Sequence, residues 1–322
     1  MSVPVHMITG GAGFIGSNLA RALLQRPSVN LLLVDDLSNG GLDLLQDVLD
    51  NPRVQFRQLD CADGRALTAA VDGAGGELTD VWHLAANSDI PAGVADPVVD
   101  QSRTFQTTVG VLELMRALAV PTLHFASSSA IYGDLGETLI HEDVGPLLPI
   151  SNYGAMKLAS EAQISAAVEA FLPRANIFRF PNVIGVPATH GVILDFVRKL
   201  QSTPGDLPVL GDGSQRKAYL HVEDLLSAMF HIEGLAGRRA VFNIGPVDDG
   251  VTVRFIAEQV RDRVSQGATI SFGQGDRGWV GDVPRFRYSI ERLLSTGWTP
   301  RWSSQEAVTR AVDEIARQVC LR

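Results

Sequence analysis

Val5-His6-Met7-Ile8-Thr9-Gly10-Gly11-Ala12-Gly13-Phe14-Ile15-Gly16-Ser17-Asn18-Leu19-Ala20 is the stretch that decides how the rest of the chain is read. A short apolar run, Val5–Thr9, passes into a glycine turn and straight on into an amphipathic segment, Ile15–Gln25. Glycines at 10, 13 and 16 meet three separate demands: a tight turn, close approach of backbone to a pyrophosphate, and close packing of helix on strand. The helix that follows offers unpaired N–H groups and the positive end of its dipole to phosphates. Any α/β protein uses glycine in turns; the strand–turn–helix order is what makes this one a dinucleotide-binding signature. Gly10, Gly13, Phe14, Ile15 and Gly16 are the residues expected against the phosphates.

Outward from the turn, the next apolar run, Asn30–Val34, ends at Asp35-Asp36. A carboxylate about 20 residues past the glycines accepts hydrogen bonds from adenine-ribose hydroxyls and repels a 2′-phosphate. With no Arg or Lys beside them, Asp35 and Asp36 favour NAD over NADP; the alternative is that either caps the next turn. Asp60, at the end of a third run, reads either as a contact to the adenine amino group or as a helix N-cap competing with Asp63.

The alternation continues. Val54–Leu59, Val81–Ala85 and Thr122–Ala126 are short, apolar and bounded by Gly, Asp or Pro, as buried parallel strands are. Gly64–Val71 and Val109–Ala119 have helical period, the latter following the Asp96–Pro97 turn; Tyr153–Phe171 is a long helix and Ile177–Phe180 a sixth strand. Strands alternating with helices predict an α/β fold, a Rossmann-like doubly wound parallel sheet. After Pro181 the rhythm loosens around Pro187, Pro204, Gly205, Pro208, Gly211 and Gly213, and returns near Leu220–His231; Thr252–Val264 and Ser303–Val319 are helical again. The expected division is a dinucleotide-binding domain over 1–180, with 218–245 returning to it, and a smaller substrate lobe from 181–217 and 246–322.

Composition sets the bounds. At 322 residues, 45% hydrophobic and 20% charged, with 31 glycines and 7% aromatics, this is an ordinary globular chain with many tight turns. A net charge of −9 argues against nucleic-acid binding, so an anionic ligand must be held by particular arginines and backbone N–H groups. Cys61 and Cys320 form neither a disulfide framework nor a metal-ligand spacing. No apolar run reaches membrane-spanning length and Met1–Met7 is not a signal peptide. A soluble, cytoplasmic protein with no membrane partner and no metal is the expectation.

Tyr153-Gly154-Ala155-Met156-Lys157 puts a phenol and an ammonium one helical turn apart on one face. A phenol of pKa about 10 is a poor base near neutrality, and an adjacent cation lowers that value. Ser127-Ser128-Ser129 follows the fifth strand, at the carboxyl edge where ligands bind in this architecture.

The glycine turn, His83-Leu84-Ala85-Ala86, Ser127-Ser128-Ser129-Ala130-Ile131-Tyr132-Gly133, the Tyr153/Lys157 pair and Arg179-Phe180-Pro181-Asn182-Val183-Ile184-Gly185 together resemble the extended short-chain dehydrogenase/reductase superfamily. The similarity runs on through Thr189-His190-Gly191-Val192-Ile193, Val209-Leu210-Gly211-Asp212-Gly213 and Arg277-Gly278-Trp279-Val280-Gly281-Asp282-Val283-Pro284, essentially the whole chain. Within that superfamily the chain looks like the UDP-glucose/UDP-galactose 4-epimerase branch. The resemblance implies bound NAD, contacted also by Asn39, Cys61, Leu84, Ala85 and Ala86. It makes Tyr153 the base on the sugar's C4 hydroxyl, Lys157 the holder of the nicotinamide ribose, and Ser128 the hydrogen-bond partner of the reacting oxygen. Asn182, Arg216 and Arg277 would bind the diphosphate of a UDP-sugar, with Ser88, Ser129, Val192 and Phe286 around the sugar nucleotide. It also implies a homodimer pairing through the helix of Tyr153 and the one after the fourth strand, where Leu158, Ala162 and Ser165 offer small surface. Two positions depart from the pattern: Thr107 replaces an Asn three residues before Gly110, and Trp279 aligns with a diphosphate arginine better than Arg277 does.

Nucleotide-sugar 4,6-dehydratases also resemble the chain, but they carry a carboxylic acid and a carboxylate where this sequence has Ser129 and Ala130. Dehydration then lacks its proton carriers. The expected reaction is reversible oxidation at C4 and hydride return; a uronic-acid decarboxylase or a catalytically silent NAD-binding regulator are the rivals. Phe286 is expected beside the sugar's C2 substituent, where a rigid ring excludes an N-acetyl group; the alternative is a core residue facing away.

Overall fold

The computed structural model describes residues 3–136, 138–275 and 288–320. Two compact units are built from interleaved segments. Unit 1 takes Met1–Ile131, Leu148–Arg179 and Met229–Phe242; unit 2 takes Tyr132–Leu147, Phe180–Ala228 and Asn243–Arg322.

Unit 1 is organised on one sheet. Its strands are β1 (Pro4–Thr9), β2 (Asn30–Asp35), β3 (Val54–Gln58), β4 (Glu77–His83), β5 (Thr122–Ala126), β6 (Arg174–Arg179) and β7 (Arg239–Asn243), side by side in the order β7-β6-β5-β4-β1-β2-β3. The pairs from β3 through β6 are parallel. β2 is buried at five successive positions, Leu31 to Asp35, as a strand covered on both faces must be. Helices α1 (Phe14–Leu24), α2 (Gly64–Ala70), α3 (Thr107–Leu118) and α4 (Asn152–Ala170) are the principal helices in the order of the chain. One core cluster joins Val5, Met7, Leu32 and Val34 of the sheet to Val111, Met115, Ile164 and Val168 of α3 and α4.

The sheet is the Rossmann-like, doubly wound α/β sheet read from the sequence. Sheet order reverses between β1 and β4, and it is there that the residues following each strand, Gly10 and Leu84-Ala85, come together. That topological switch point is where this fold holds its ligands.

In unit 2, helices Val192–Ser202, Val253–Val264 and Ser304–Cys320 share a core of Leu194, Val197, Ile256, Val260, Val308 and Ile315. Among the described residues, three two-stranded pairs accompany them: Asn182–Ile184 with Tyr219–His221 and Asp206–Val209 with Thr269–Phe272, both parallel, and Arg216–Lys217 with Val251–Thr252, antiparallel.

Candidate active site

The glycine turn comes first in the chain and is the most constrained part of the site. Gly10 has φ +69°, and a Cβ there would lie 2.9 Å from the Ala85 backbone nitrogen. A Cβ on Gly16 would collide with the Gly10 carbonyl oxygen. Both positions are glycine because the fold itself leaves no room. Gly13 differs: its Cβ would meet only the Gly10 oxygen, at 3.3 Å, so the space in front of it is open. It is also the N-cap of α1, with no side chain accepting from the helix. The N–H groups at Phe14, Ile15 and Gly16 therefore begin a helix with no side-chain cap, the condition for an anion site.

Asp35, at the end of β2 and 7% exposed, closes the turn from the other side. Its Oδ2 accepts the Ala12 N–H at 3.0 Å and its Oδ1 the Leu37 N–H at 2.8 Å. Burial raises its carboxyl above the ordinary range, against the pull of those two backbone donors. Each oxygen keeps a lone pair for a further donor, as a ribose contact requires. Asp36 is exposed and folded back on the N–H and hydroxyl of Ser38; Asn39 is exposed beside it. Of the two candidate caps for α2, Asp63 does the work, accepting from Arg65 and Ala66, while the exposed Asp60 accepts the Ala62 N–H. Cys61 is buried and its thiol pushed up by desolvation, hence unreactive. Leu84 and Ala85 N–H groups are held by the carbonyl and hydroxyl of Thr9, with Ala86 following and Ser88 exposed on the same loop. This uncapped, glycine-lined cradle with a carboxylate at its rim fits a dinucleotide with free ribose hydroxyls.

The second group is built on α4. Ser151 caps the helix, accepting the Gly154 N–H at 3.1 Å. Gly154 lets the helix lie directly on the Ser129–Tyr132 turn, since a Cβ would collide with the Ala130 oxygen. That closeness sets the Tyr153 phenol beside Ser128, which lowers its pKa, and the Ser128 Oγ accepts the Ala130 N–H at 3.1 Å. Ser129 is half-buried in the same turn. Lys157, one turn on, is 2% exposed; its Nζ donates to the Ala126 carbonyl at 2.6 Å and stands 4.7 Å from the Phe125 ring centroid and 5.8 Å from that of Tyr153.

The electrostatics correct one expectation. The sequence predicts that Lys157 pulls the tyrosine's pKa down, but burial pushes Tyr153 up to about 12, against the pull of Ser128 and with the Asp100 carboxylate adding to the rise. Lys157 is itself pushed down to about 7 by burial, with Glu161 pulling the other way. The ammonium faces a backbone carbonyl, and desolvation outweighs charge at both groups.

Sequence reading missed what surrounds this pair. Glu161 and Arg179 form a buried, forked ion pair (Nη2 to Oε2 2.6 Å), and Ser127 donates its hydroxyl to Glu161. The signal was the spacing 153, 157, 161, polar residues at helical period on a buried face. His83, fully buried, links Thr9 (2.7 Å) to Thr108 (3.1 Å), and Thr108 donates to Ser160 at 3.0 Å. Thr107 is a helix residue, its hydroxyl donating to the Arg103 and Thr104 carbonyls; Thr104 accepts the Asn87 N–H.

In unit 2, Asn182 is exposed at the start of its strand, Val192 opens its helix behind Gly191, and the exposed Arg216 donates to the Gly250 carbonyl at 2.9 Å. Arg277, Trp279 and Phe286 lie outside the described residues. Among the described residues, Asp80, His124 and Glu233 gather ligand atoms within 4.8 Å. Each is already committed, Asp80 to His6 and His124 and Glu233 to the two terminal guanidinium nitrogens of Arg26, so the group reads as a hydrogen-bonded cluster.

A switch-point sheet with an uncapped glycine turn defines a Rossmann-like nucleotide-binding protein. Residues 6–245 match the model of the NAD dependent epimerase/dehydratase family, and the chain belongs to that family. NAD is its cofactor, and the family makes it an enzyme acting on nucleotide sugars. The chain is similar to a solved UDP-galactose 4-epimerase (32% identity, 98% of this chain and 99% of that one, TM-score 0.83). It is similar also to the Thermus thermophilus UDP-glucose 4-epimerase solved with NAD (28%, 97% and 98%, TM-score 0.83). A dTDP-glucose 4,6-dehydratase of Neisseria gonorrhoeae is 30% identical over 74% of this chain and 72% of its own.

Proposed function

We propose that the protein is an NAD-dependent nucleotide-sugar 4-epimerase acting on a UDP-hexose. The observation that carries this reading is the Ser128–Tyr153–Lys157 group standing without a neighbouring acid pair: Ser129 and Ala130 occupy the positions after Ser128. One phenol and one hydroxyl suffice to take a proton from the C4 hydroxyl and return it. Eliminating water from C5 and C6 would need two further proton carriers.

On this reading Gly10, Gly13 and the first turn of α1 hold the cofactor's phosphates and Asp35 its adenine ribose. When bound, oxidised NAD supplies a reversible hydride acceptor and a positive charge. Ser128 orients the sugar oxygen, and Tyr153 takes its proton. A phenol held at about 12 gives up its proton to solvent only with help, and Lys157, about half charged near neutrality, is the cation on its own helix face. Asn182, Arg216 and Arg277 are assigned to the nucleotide diphosphate, with Ser88, Ser129 and Val192 completing the substrate set. Phe286 is assigned to the sugar's C2 side.

The test is a panel of UDP- and dTDP-sugars followed by NMR. Interconversion of UDP-glucose and UDP-galactose without net consumption of NAD is expected. Tyr153→Phe should lower turnover about 10²–10⁴-fold while NAD stays bound. A 4-keto-6-deoxy product would establish dehydration instead, and a Tyr153→Phe variant within a few-fold of wild type would remove Tyr153 from the chemistry.

A further inference from the structure

Three polar residues that a surface helix ordinarily turns to solvent, Lys157, Ser160 and Glu161, lie on the buried face of α4. Two of them, with Tyr153, grip consecutive residues of the loop leaving β5. Lys157 donates to the carbonyl of Ala126, Glu161 accepts the hydroxyl of Ser127, and Tyr153 stands beside Ser128. The spacing 153, 157, 161 at helical period therefore maps onto 128, 126 and 127. Ser127 is also fixed from behind, its N–H donating to the Phe178 carbonyl of β6 at 2.8 Å.

Glu161 is also anchored independently of the loop. The Arg179 guanidinium, on β6, reaches its two oxygens from Nε at 3.0 and 3.2 Å and from Nη2 at 2.6 Å. A forked pair of this kind has one geometry, and both partners are nearly sealed from water, at 7% and 8% side-chain exposure. As a stabilising device alone a buried ion pair does little, because desolvation offsets its attraction. Its position, one residue from the reacting hydroxyl, points elsewhere.

We propose that Glu161 is a positioning residue of the proton-transfer site: held by Arg179, it fixes Ser127 and with it the Ser128 hydroxyl against Tyr153, and it is the counter-charge of Lys157. This rests on the reading of Ser128, Tyr153 and Lys157 given above. The groups facing Lys157 are Tyr153 and Glu161 from its own helix, the Phe125 ring and Ala126 carbonyl from β5, and His83 from β4, which burial keeps neutral. Arg179 meets Glu161 from β6. Glu161 is thus the one negative charge among them.

The chain has three lysines, Lys157, Lys199 and Lys217, so side-chain NMR of lysine-labelled, NAD-loaded protein reads Lys157 directly. Glu161→Gln alone would strand a buried guanidinium; Glu161→Gln with Arg179→Gln keeps the face neutral and is the variant to use. The lysine titration should move to lower pH and turnover should fall about ten- to a hundredfold, the scale of a misplaced reacting group. Ser127→Ala, which leaves every charge in place, should lower turnover while the lysine titration stays where it is. An unmoved titration in the double variant, or a Ser127→Ala enzyme as fast as wild type, overturns the proposal. Because the titration is read without sugar, a wild type that turns over no nucleotide sugar would remove the reaction assigned above and leave the Glu161–Lys157 coupling to be judged by the NMR alone.

Discussion

His83 shows what burial does to a single side chain here. It is fully buried, its ring nitrogens are taken by Thr9 and Thr108, and desolvation, with Lys157 adding to the effect, pushes its pKa down to about 3. An unfolded histidine titrates near 6.5, so between pH 3 and 6.5 the unfolded chain binds the extra proton. The stability His83 contributes is complete above pH 6.5 and is lost as the pH falls toward 3. Imidazole NMR at pH 5 should find this ring neutral; a protonated His83 at that pH would refute the assignment. Tyr153 and Lys157 were legible in the sequence because four residues on one helix fix their relation before any tertiary structure exists. Their partners were not. Glu161 meets Arg179 and Ser127 across separate elements, and a burial large enough to raise a phenol to about 12 beside a cation depends on packing that spacing does not report.

At the scale of elements, the contact of α4 with the Ser129–Tyr132 turn leaves no room for a side chain at Gly154. Gly154→Ala would drive a methyl into the Ala130 carbonyl oxygen, a backbone atom that cannot swing aside. Helix and turn must then separate, and with them Tyr153 and Ser128. Turnover should fall about a hundredfold and stability by about 1–3 kcal/mol, read from initial rates and urea unfolding. A Gly154→Ala enzyme at full activity would show that the contact does not set the site. The first six strands could be read as apolar runs between Gly, Asp and Pro. β7 was not identified as a strand, and the short helices Ile90–Ala95 and Pro97–Asp100 went unread, because single turns carry too little periodicity.

At the scale of the whole molecule, the partner surface assigned to α3 and α4 carries Leu118 and Phe171 at their ends, 42% and 36% exposed, with Ala162 exposed between Leu158 and Ser165. Two copies pairing there would make a four-helix bundle about a twofold axis, and twofold dimers are the commonest homo-oligomers. Light scattering at micromolar concentration should give twice the chain mass, and Ala162→Arg should halve it. A wild-type monomer would exclude the pairing.

The late arrival of β7 bears on how the chain is made. Strand β6 ends at Arg179, yet the strand that pairs along its outer edge is Arg239–Asn243, and everything between them must leave the ribosome first. Until it does, the edge formed by Ala175, Ile177 and Phe178 offers unpaired backbone to any neighbouring chain. Nascent chains halted before β7 has emerged should therefore be protease-sensitive and bound by chaperones, and those halted after it resistant. Equal resistance at both lengths would mean that the first six strands close without it. The order of strands in the sheet is in this sense also a timetable, in which the unit begun first is finished only after two of the other's three segments have been synthesised.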